Sequence, residues 1–473
     1  MSKRLAPNGS SGKDNKKKRS EKIHVDWEHD SDLEDSDDDM KQNEESSEEE
    51  DLETGEEKRV RMAKELLAKV GAGDEESEDD ESSDEEEDTL GRRPATKLDS
   101  VSQKLHEELL RSKGRLRKPV ADTFKSDSLV HQFCPRAHRL AVTCLALSES
   151  EDFAFTGSKD CSIVRWDVET GKKLAKYPGQ PATKSISADK IKGHHDEVLS
   201  MSLSSDGRYL ASGGRDKVVR IWDVRTDSEI DAFQGHQGAV SGLAFQLGKH
   251  MLYSGSNDRT IRAWNIDEMA YVESLFGHQA EINAIDCLYR ERAVSCSVDR
   301  TVRFWKIPEE SQLVLQGVNK ASLDCIKMVD EVHFVTGSQD GFLSLWHTMK
   351  KKPCSVVRNA HDGTWISAIA ALRNSDMIAT GGSDGFVRFW KVDLGKRDIS
   401  VPCVGKVAVP GFVNALGVGI SGRVVVAGSG QEHRLGRWGR DPKGRNGLHI
   451  FRLPESDDAD DVEEHFHDEE EEG

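Results

Sequence analysis

Between residues 129 and 453 the chain alternates short apolar runs with turns rich in Gly, Asp, Ser and Asn. Such punctuation predicts many short strands rather than helices. One spacing orders them: Ser or Thr, three residues, Asp, five residues, Trp. It occurs at Thr156/Asp160/Trp166, Ser212/Asp216/Trp222, Ser254/Asp258/Trp264, Ser295/Asp299/Trp305, Thr336/Asp340/Trp346 and Thr380/Asp384/Trp390. Successive Trp residues lie 41 to 56 positions apart. A self-similar period of about 40–45 residues ending in a Trp-bearing strand predicts one four-stranded propeller blade per repeat.

Each repeat reads as an outer strand, a Gly-His turn, an inner strand, a second strand, a tight Asp turn and a strand ending in Trp. Gly-His stands at Gly193-His194, Gly235-His236 and Gly277-His278, with His138 and His361 in equivalent places; the fifth repeat has Gly317-Val318 instead. A seventh repeat is irregular. Phe412–Val418 and Val424–Ala427 read as its inner strands, with Ala427 and Gln431 at the Ser/Thr and Asp positions. Aligning Gly447–Leu453 (GLHIFRL) with Thr260–Ile266 (TIRAWNI) puts Phe451 at the Trp position and makes Gln431–Arg445 an insertion before that strand. No outer strand follows, since an acidic tail begins at Glu455. Leu129–Phe133 is therefore expected to supply it, pairing the two ends of the repeat array and removing exposed edges. The expected fold is all-β: a seven-bladed propeller over 126–454, an acidic N-terminal arm over 1–125 and an acidic tail over 455–473.

Residues 1–55 and 71–97 are rich in Asp, Glu and Ser and poor in aromatics. Such segments bury too little apolar surface to offset ordering entropy, so disorder is expected, as for the tail. Two helical stretches interrupt the arm, near 56–70 and 98–118. Val60, Leu66, Leu67 and Val70 share roughly one face of the first; Val101, Leu105, Leu109 and Leu116 share one face of the second. Solvated helices and partner-docking helices both fit that pattern.

Charge divides the chain. Its formal net charge is −20. Residues 1–125 hold 24 Lys/Arg against 37 Asp/Glu, and 455–473 hold 12 acids and no Lys/Arg. The middle holds 42 basic residues against 37 acidic ones. A mildly basic body between acidic ends can meet a polyanion that the ends repel. The eight Cys form no CxxC pair and no metal-ligand spacing, which points to reduced, buried thiols of an intracellular protein. No metal or cofactor is expected. The N-terminus lacks the apolar stretch of a secretory signal, and no apolar run approaches the ~20 residues of a membrane span. Lys16-Lys17-Lys18-Arg19 has the form of a nuclear import signal. Ser31, Ser36, Ser46, Ser47, Ser77, Ser82 and Ser83 precede acids, as acidophilic kinase sites do.

Ser254, His236 and Asp258 suggest a hydrolase triad, but the same set recurs in five repeats, and no enzyme needs five nucleophiles. A buried hydrogen-bond chain from His through Asp and Ser/Thr to the Trp N–H explains the recurrence. No catalysis is expected. Surface charge says more. The Gly-His loops and the Asp turns open on one face of a propeller. Beside the Asp of repeats one to four stand Lys159, Arg215, Lys217, Arg259 and Arg300; in five and six the neighbours Gln339, Gly341, Ser383 and Gly385 are neutral. The loop after repeat one adds Lys184, Lys190 and Lys192, and the seventh-repeat insertion adds His433, Arg434, Arg437, Trp438, Arg440, Lys443 and Arg445. Repeat seven abuts repeat one in a closed ring, so these sets join into one sector. Cations neutralise phosphates and a Trp or Arg plane stacks on an unpaired base, so nucleic acid is the expected ligand. An acidic protein is the competing partner.

Across 129–453 the chain resembles the WD40 family. Within it, the chain is similar to the branch that interacts with the U3 small nucleolar RNA of the box C/D particle. The stretches that carry the likeness are GQEHRLGRW (430–438), YVESLFGHQ (271–279), KIPEESQLV (306–314), GAVSGLAF (238–245) and SKDCSIVRW (158–166). EEKRVRMAKELL (56–67) and RSKGRL (111–116) match that branch's helical arm. The resemblance implies a non-enzymatic role: binding U3 RNA at its box B/C element beside the small kink-turn-binding protein, among box C/D core and small-subunit processome proteins. It implies a nuclear, nucleolar location and early cleavage of the ribosomal RNA precursor. It points to His433, Arg434, Arg437 and Trp438 as site residues; Arg440, Lys443 and Arg445 rest on charge alone. Two other readings remain. A histone-binding chromatin scaffold suits the acidic ends, and recovery of histones rather than RNA separates it. A ubiquitin-ligase substrate receptor needs an adaptor-binding segment, and residues 1–125 show no F-box-like apolar helix set.

Overall fold

The computed structural model describes residues 117–124, 129–135, 138–179, 193–317, 321–394, 399–437 and 439–453. The arm before Arg117 with nearly all of its two helical stretches, the tail from 455, the three lysines of the 180–192 loop and Trp438 lie outside the described residues.

Seven four-stranded antiparallel sheets are present, each ordered from an innermost to an outermost strand. Blade three is representative: Val240–Phe245, Met251–Ser256, Thr260–Asn265 and Ala270–Phe276. Blade seven takes its first three strands from Phe412–Val418, Val424–Gly430 and Gly447–Arg452. Its outermost strand is Val130–Pro135, paired antiparallel with Gly447–Arg452. The ring closes as the repeat pattern predicts. Val425 faces Phe451 as Leu252 faces Trp264, and Ala427 takes the place of Ser254, so Phe451 fills the Trp position.

Polar contacts lock each blade. In blade three, Trp264 Nε1 donates to Ser254 Oγ at 2.8 Å; His236 Nε2 lies 2.8 Å from that oxygen, and His236 Nδ1 lies 2.9 Å from Asp258. The carboxylate also accepts from Thr260 N and Oγ1. Burial raises a carboxyl pKa, but these donors more than reverse that, and Asp258 is held well below the usual range. Blades two, four and six repeat the arrangement. In blade one Ser162 stands between His138 and Asp160. Blade five keeps only Trp346 to Thr336, at 2.9 Å. Ser254 is wholly buried and its oxygen is occupied, which is the environment of a structural hydroxyl rather than of a nucleophile.

A second device joins the blades around the central channel. The innermost strand of every blade has one bulged residue: Thr143, Leu199, Ser241, Asn283, Asp324, Ser367 and Asn414. Thr143, Ser241, Asn283 and Ser367 each donate to a carbonyl on the innermost strand of the next blade. Asn414 Nδ2 completes the circuit by donating to Val142 O at 2.8 Å. In blades two and five the bulged residue is Leu199 or Asp324, and the following Ser200 or Cys325 donates instead. Each such bond adds about 1 kcal/mol and fixes the blade-to-blade angle.

Residues 117–124 were expected to belong to the arm, yet they pack on the propeller. Arg117 donates to Ser375 O and Val392 O, both at 2.9 Å, and Asp376 Oδ1 accepts from Val120 N and Ala121 N. Phe124 is fully buried against Phe389, with ring centroids 5.2 Å apart. Burial of one aromatic and bonding of four backbone groups anchor a segment whose composition reads as polar linker. The anchor lies on the turn before Met377–Gly382, at the end of the blade opposite the Gly-His loops.

Candidate nucleic-acid interface

Strand direction decides which face is which. In every blade the turn between the second and third strands lies at the same end as the loop leading into the next blade. The insertion 431–446 joins the second and third strands of blade seven, so it stands on the Gly-His face.

The sequence grouped the insertion's basic residues as one set. The structure divides them into an internal group and an exposed one. His433 is buried, with its ring edge-on to Trp365 at 4.8 Å. Burial, with Arg434 and Lys159 nearby, pushes its pKa down to about 3. Arg434 points into the channel, where its Nη2 donates to Asp324 O at 2.7 Å. Asp324 is buried and its carboxyl pKa is raised by desolvation; the Arg434 charge is the first of the influences opposing that rise. Arg434 N in turn donates to Asn414 Oδ1 at 3.0 Å, and Asn414 Nδ2 reaches Glu432 O at 2.9 Å. Lys159 is only 3% exposed, its Nζ donating to Gly436 O at 2.9 Å beside Glu432.

The expectation that His433, Arg434 and Lys159 contact a ligand is therefore corrected. Each is spent holding the insertion to blades one, five and six. Asn414 is the hub of that seating, and Asn446 adds bonds to Gln431 N and Arg139 O. We expect Arg434→Ala to lower stability by about 2 kcal/mol, since it strips the neutralising charge from buried Asp324. Chemical denaturation should register that loss, and an unchanged midpoint would contradict the role.

Four predicted cations remain in the exposed group. Arg437 has a 64% exposed side chain, 3.5 Å from Glu432. Arg440 reaches Gln431 at 3.2 Å from an exposed position, Lys443 is exposed, and exposed Arg445 lies over the Phe133 ring at 5.9 Å. The Asp turns continue the row with Arg215, Lys217, Arg259 and Arg300, all exposed. Lys217, Arg259 and Arg300 have φ of 68°, 70° and 65°, where blades five and six place Gly341 and Gly385. A side chain costs on the order of 1 kcal/mol in that conformation. Three neighbouring blades carry that cost with a long cation each.

Sequence reasoning missed Arg139, which is exposed between the insertion and blade two, its N donating to Asp160 and its O accepting from Asn446. Its signal was its position directly after the locking His138. Arg139 fills the gap left by Lys159, so the exposed cations run from blade seven through blade four.

The family model described as "WD domain, G-beta repeat" matches residues 128–167, 186–223, 228–265, 270–306 and 352–391. The chain is 40% identical over 411 residues to "U3 small nucleolar RNA-interacting protein 2" of Homo sapiens, covering 85% of this chain and 82% of the relative. It is 26% identical to "Ribosomal RNA-processing protein 9" of Saccharomyces cerevisiae, covering 74% and 78%. Among solved structures, "Structure of U3-55K" superposes with a TM-score of 0.64 at 43% identity, covering 70% of this chain and 99% of that one.

Proposed function

We infer, from the premise that the chain belongs to the WD-repeat family of U3 small nucleolar RNA-interacting proteins, that it serves the U3 small nucleolar ribonucleoprotein in ribosomal RNA processing. In finer terms, it is a non-catalytic RNA-binding component of the box C/D particle acting toward the small ribosomal subunit in the nucleolus. Its partners in this reading are U3 RNA, the kink-turn-binding protein with the other core proteins, and the small-subunit processome.

One observation supports the RNA contact: an insertion seated through its half-buried Arg434 and through buried Lys159 of blade one presents Arg437, Arg440, Lys443 and Arg445 to solvent. A pre-seated loop loses little entropy on binding, so its charges act on phosphates at small cost. Arg139, Arg215, Lys217, Arg259 and Arg300 extend the track across neighbouring blades. Trp438 remains part of the proposed site as a stacking platform for an unpaired base.

Cross-linking in cells, with sequencing of the attached RNA and mapping of the linked peptides, tests the assignment. U3 RNA attached within 431–446 is the expected result. Attachment of U3 RNA only within the arm would refute the site, and recovery of histones without small nucleolar RNA would refute the function.

A further inference from the structure

The outermost strand of a propeller blade pairs on one side only, and exposed edges are ordinarily protected by charge, proline or brevity. Most blades here follow that rule. Lys173–Tyr177 carries two Lys, Ser228–Phe233 carries Glu229 and Asp231, Ala270–Phe276 carries Glu273, and Cys403–Ala408 carries Lys406. Ser355–Val357 is three residues long, and Val130–Pro135 ends in proline. Blade four departs from the rule. Its edge, Ser311–Gln316 (SQLVLQ), has six paired residues, no charge and no proline.

Leu313 and Val314 on that strand are 38% and 45% exposed. Val314 and Gln312 share the side that faces blade three, because they pair with Arg303 and Trp305. Across the intervening groove, blade three contributes Val272, which is 49% exposed, and Glu273. Gln312 spans the groove, its Nε2 donating to Phe276 O at 3.4 Å and its Oε1 accepting from Arg303 at 2.7 Å. The lower end is acidic. Burial and then the charge of Glu310 hold the Glu273 carboxyl above its usual range. Among the described residues, neither carboxylate is in an ion pair.

We propose that the Ser311–Gln316 edge and its groove toward blade three receive an extended segment of a partner protein as a fifth, antiparallel strand. The edge supplies main-chain donors and acceptors; Val272 and Val314 supply apolar contact for one alternate set of the segment's side chains, and Leu313, paired with Phe304, for the other set on the side toward blade five. Glu273 and Glu310 select a Lys or Arg. Because Glu310 precedes Ser311, an antiparallel segment carries that cation near its C-terminal end. A nucleic acid is disfavoured by the paired carboxylates. A second copy of this edge is disfavoured because its strand, Ser311–Gln316, holds no Lys or Arg to meet them.

The test places photoreactive benzoylphenylalanine at Leu313 of the full chain, with Leu174 on the outer strand of blade one as control. After irradiation in cells, one protein segment with alternating apolar residues and a terminal-side Lys or Arg should be linked at least about tenfold more at 313 than at 174. A synthetic copy of that segment should bind the purified chain and lose about tenfold or more when its edge-facing amides are N-methylated, or when the chain carries Glu273→Lys. Thermal melting of the Glu273→Lys chain separates lost binding from lost folding, and Val314→Lys is the second variant, expected to melt normally and not bind. The proposal is overturned by linking no stronger than at Leu174, by linking to RNA or to a second copy, or by undiminished binding of the N-methylated segment.

Discussion

Taking the propeller from about pH 7 to about pH 4.5 is expected to remove about 5 kcal/mol of stability through His433 and His449 alone. Both are buried, and both have pKa values pushed down to about 3: desolvation leads in each case, aided at His433 by Arg434 and Lys159 and at His449 by His131 and Arg445. An unfolded histidine titrates near 6.5. Between those values the unfolded chain binds protons that the folded chain refuses, so stability falls as pH falls. The contribution is intact above about pH 6.5 and declines at about 1.4 kcal/mol per pH unit for each ring until the folded pKa is reached.

His449 sits where the ring closes. Its Nδ1 lies 2.8 Å from Nε2 of His131 on the closing strand, and its Nε2 lies 3.0 Å from Ser429 Oγ. One shared proton suits two facing nitrogens, and two do not. Below about pH 4 a second, steeper loss begins. Asp160, Asp216, Asp258, Asp299 and Asp384 all have carboxyl pKa values lowered below the ordinary range, so protonating them favours the unfolded chain. Urea unfolding at a series of pH values measures both limbs. His449→Gln should lessen the slope of the upper limb by about 1.4 kcal/mol per pH unit. A stability curve flat between about pH 7 and 5 would show that these rings accept protons in the folded state.

Periodic features were legible in the sequence because each is written several times. Ser/Thr, Asp, His and Trp repeat at fixed offsets, so one blade interprets the next, and the closing strand followed from counting what blade seven lacked. Phe451 was found for the same reason, since its neighbours kept the register. Features written once were not legible. The burial of Lys159 depends on Gly436, the inward turn of half-buried Arg434 depends on Asp324, and neither pairing has a local signal in the chain. Arg434 and Arg437 stand three residues apart in one basic run, yet one enters the channel and the other faces solvent. Composition assigns both to a surface and cannot separate them. The anchor at 117–124 was hidden likewise, because Arg117 and Lys118 read as the basic end of a helix while the acceptors that hold the segment lie in blade six. A bulged inner strand is also invisible as such, although its polar residue at a fixed place in six blades was a signal available in principle.

That separation of buried from exposed cations sets the second large prediction. Replacing Arg437, Arg440, Lys443 and Arg445 together by Ala should weaken binding to U3 RNA by on the order of 300-fold near physiological salt. Each exposed cation that neutralises a phosphate releases counterions, and for single-stranded RNA the dependence of log affinity on log salt flattens by about 0.7 per contact. Four contacts therefore flatten it by about 3. The fold should survive, because their side-chain contacts are peripheral: Arg437 with Glu432, Arg440 with Gln431, Arg445 over Phe133. Exposed pairs of this kind contribute about 0–1 kcal/mol each. Arg434→Ala provides the contrast, losing stability while leaving the salt slope intact wherever the protein remains folded. Filter binding or anisotropy with U3 RNA and its partner protein, across a salt series, reads both quantities. If the fourfold variant binds with the affinity and salt slope of the unsubstituted chain, the insertion is not the RNA contact. The blade two to four cations, Arg215, Lys217, Arg259 and Arg300, would then have to carry it. If it binds weakly but with an unchanged slope, the four residues act through shape or through the partner protein rather than through phosphate neutralisation.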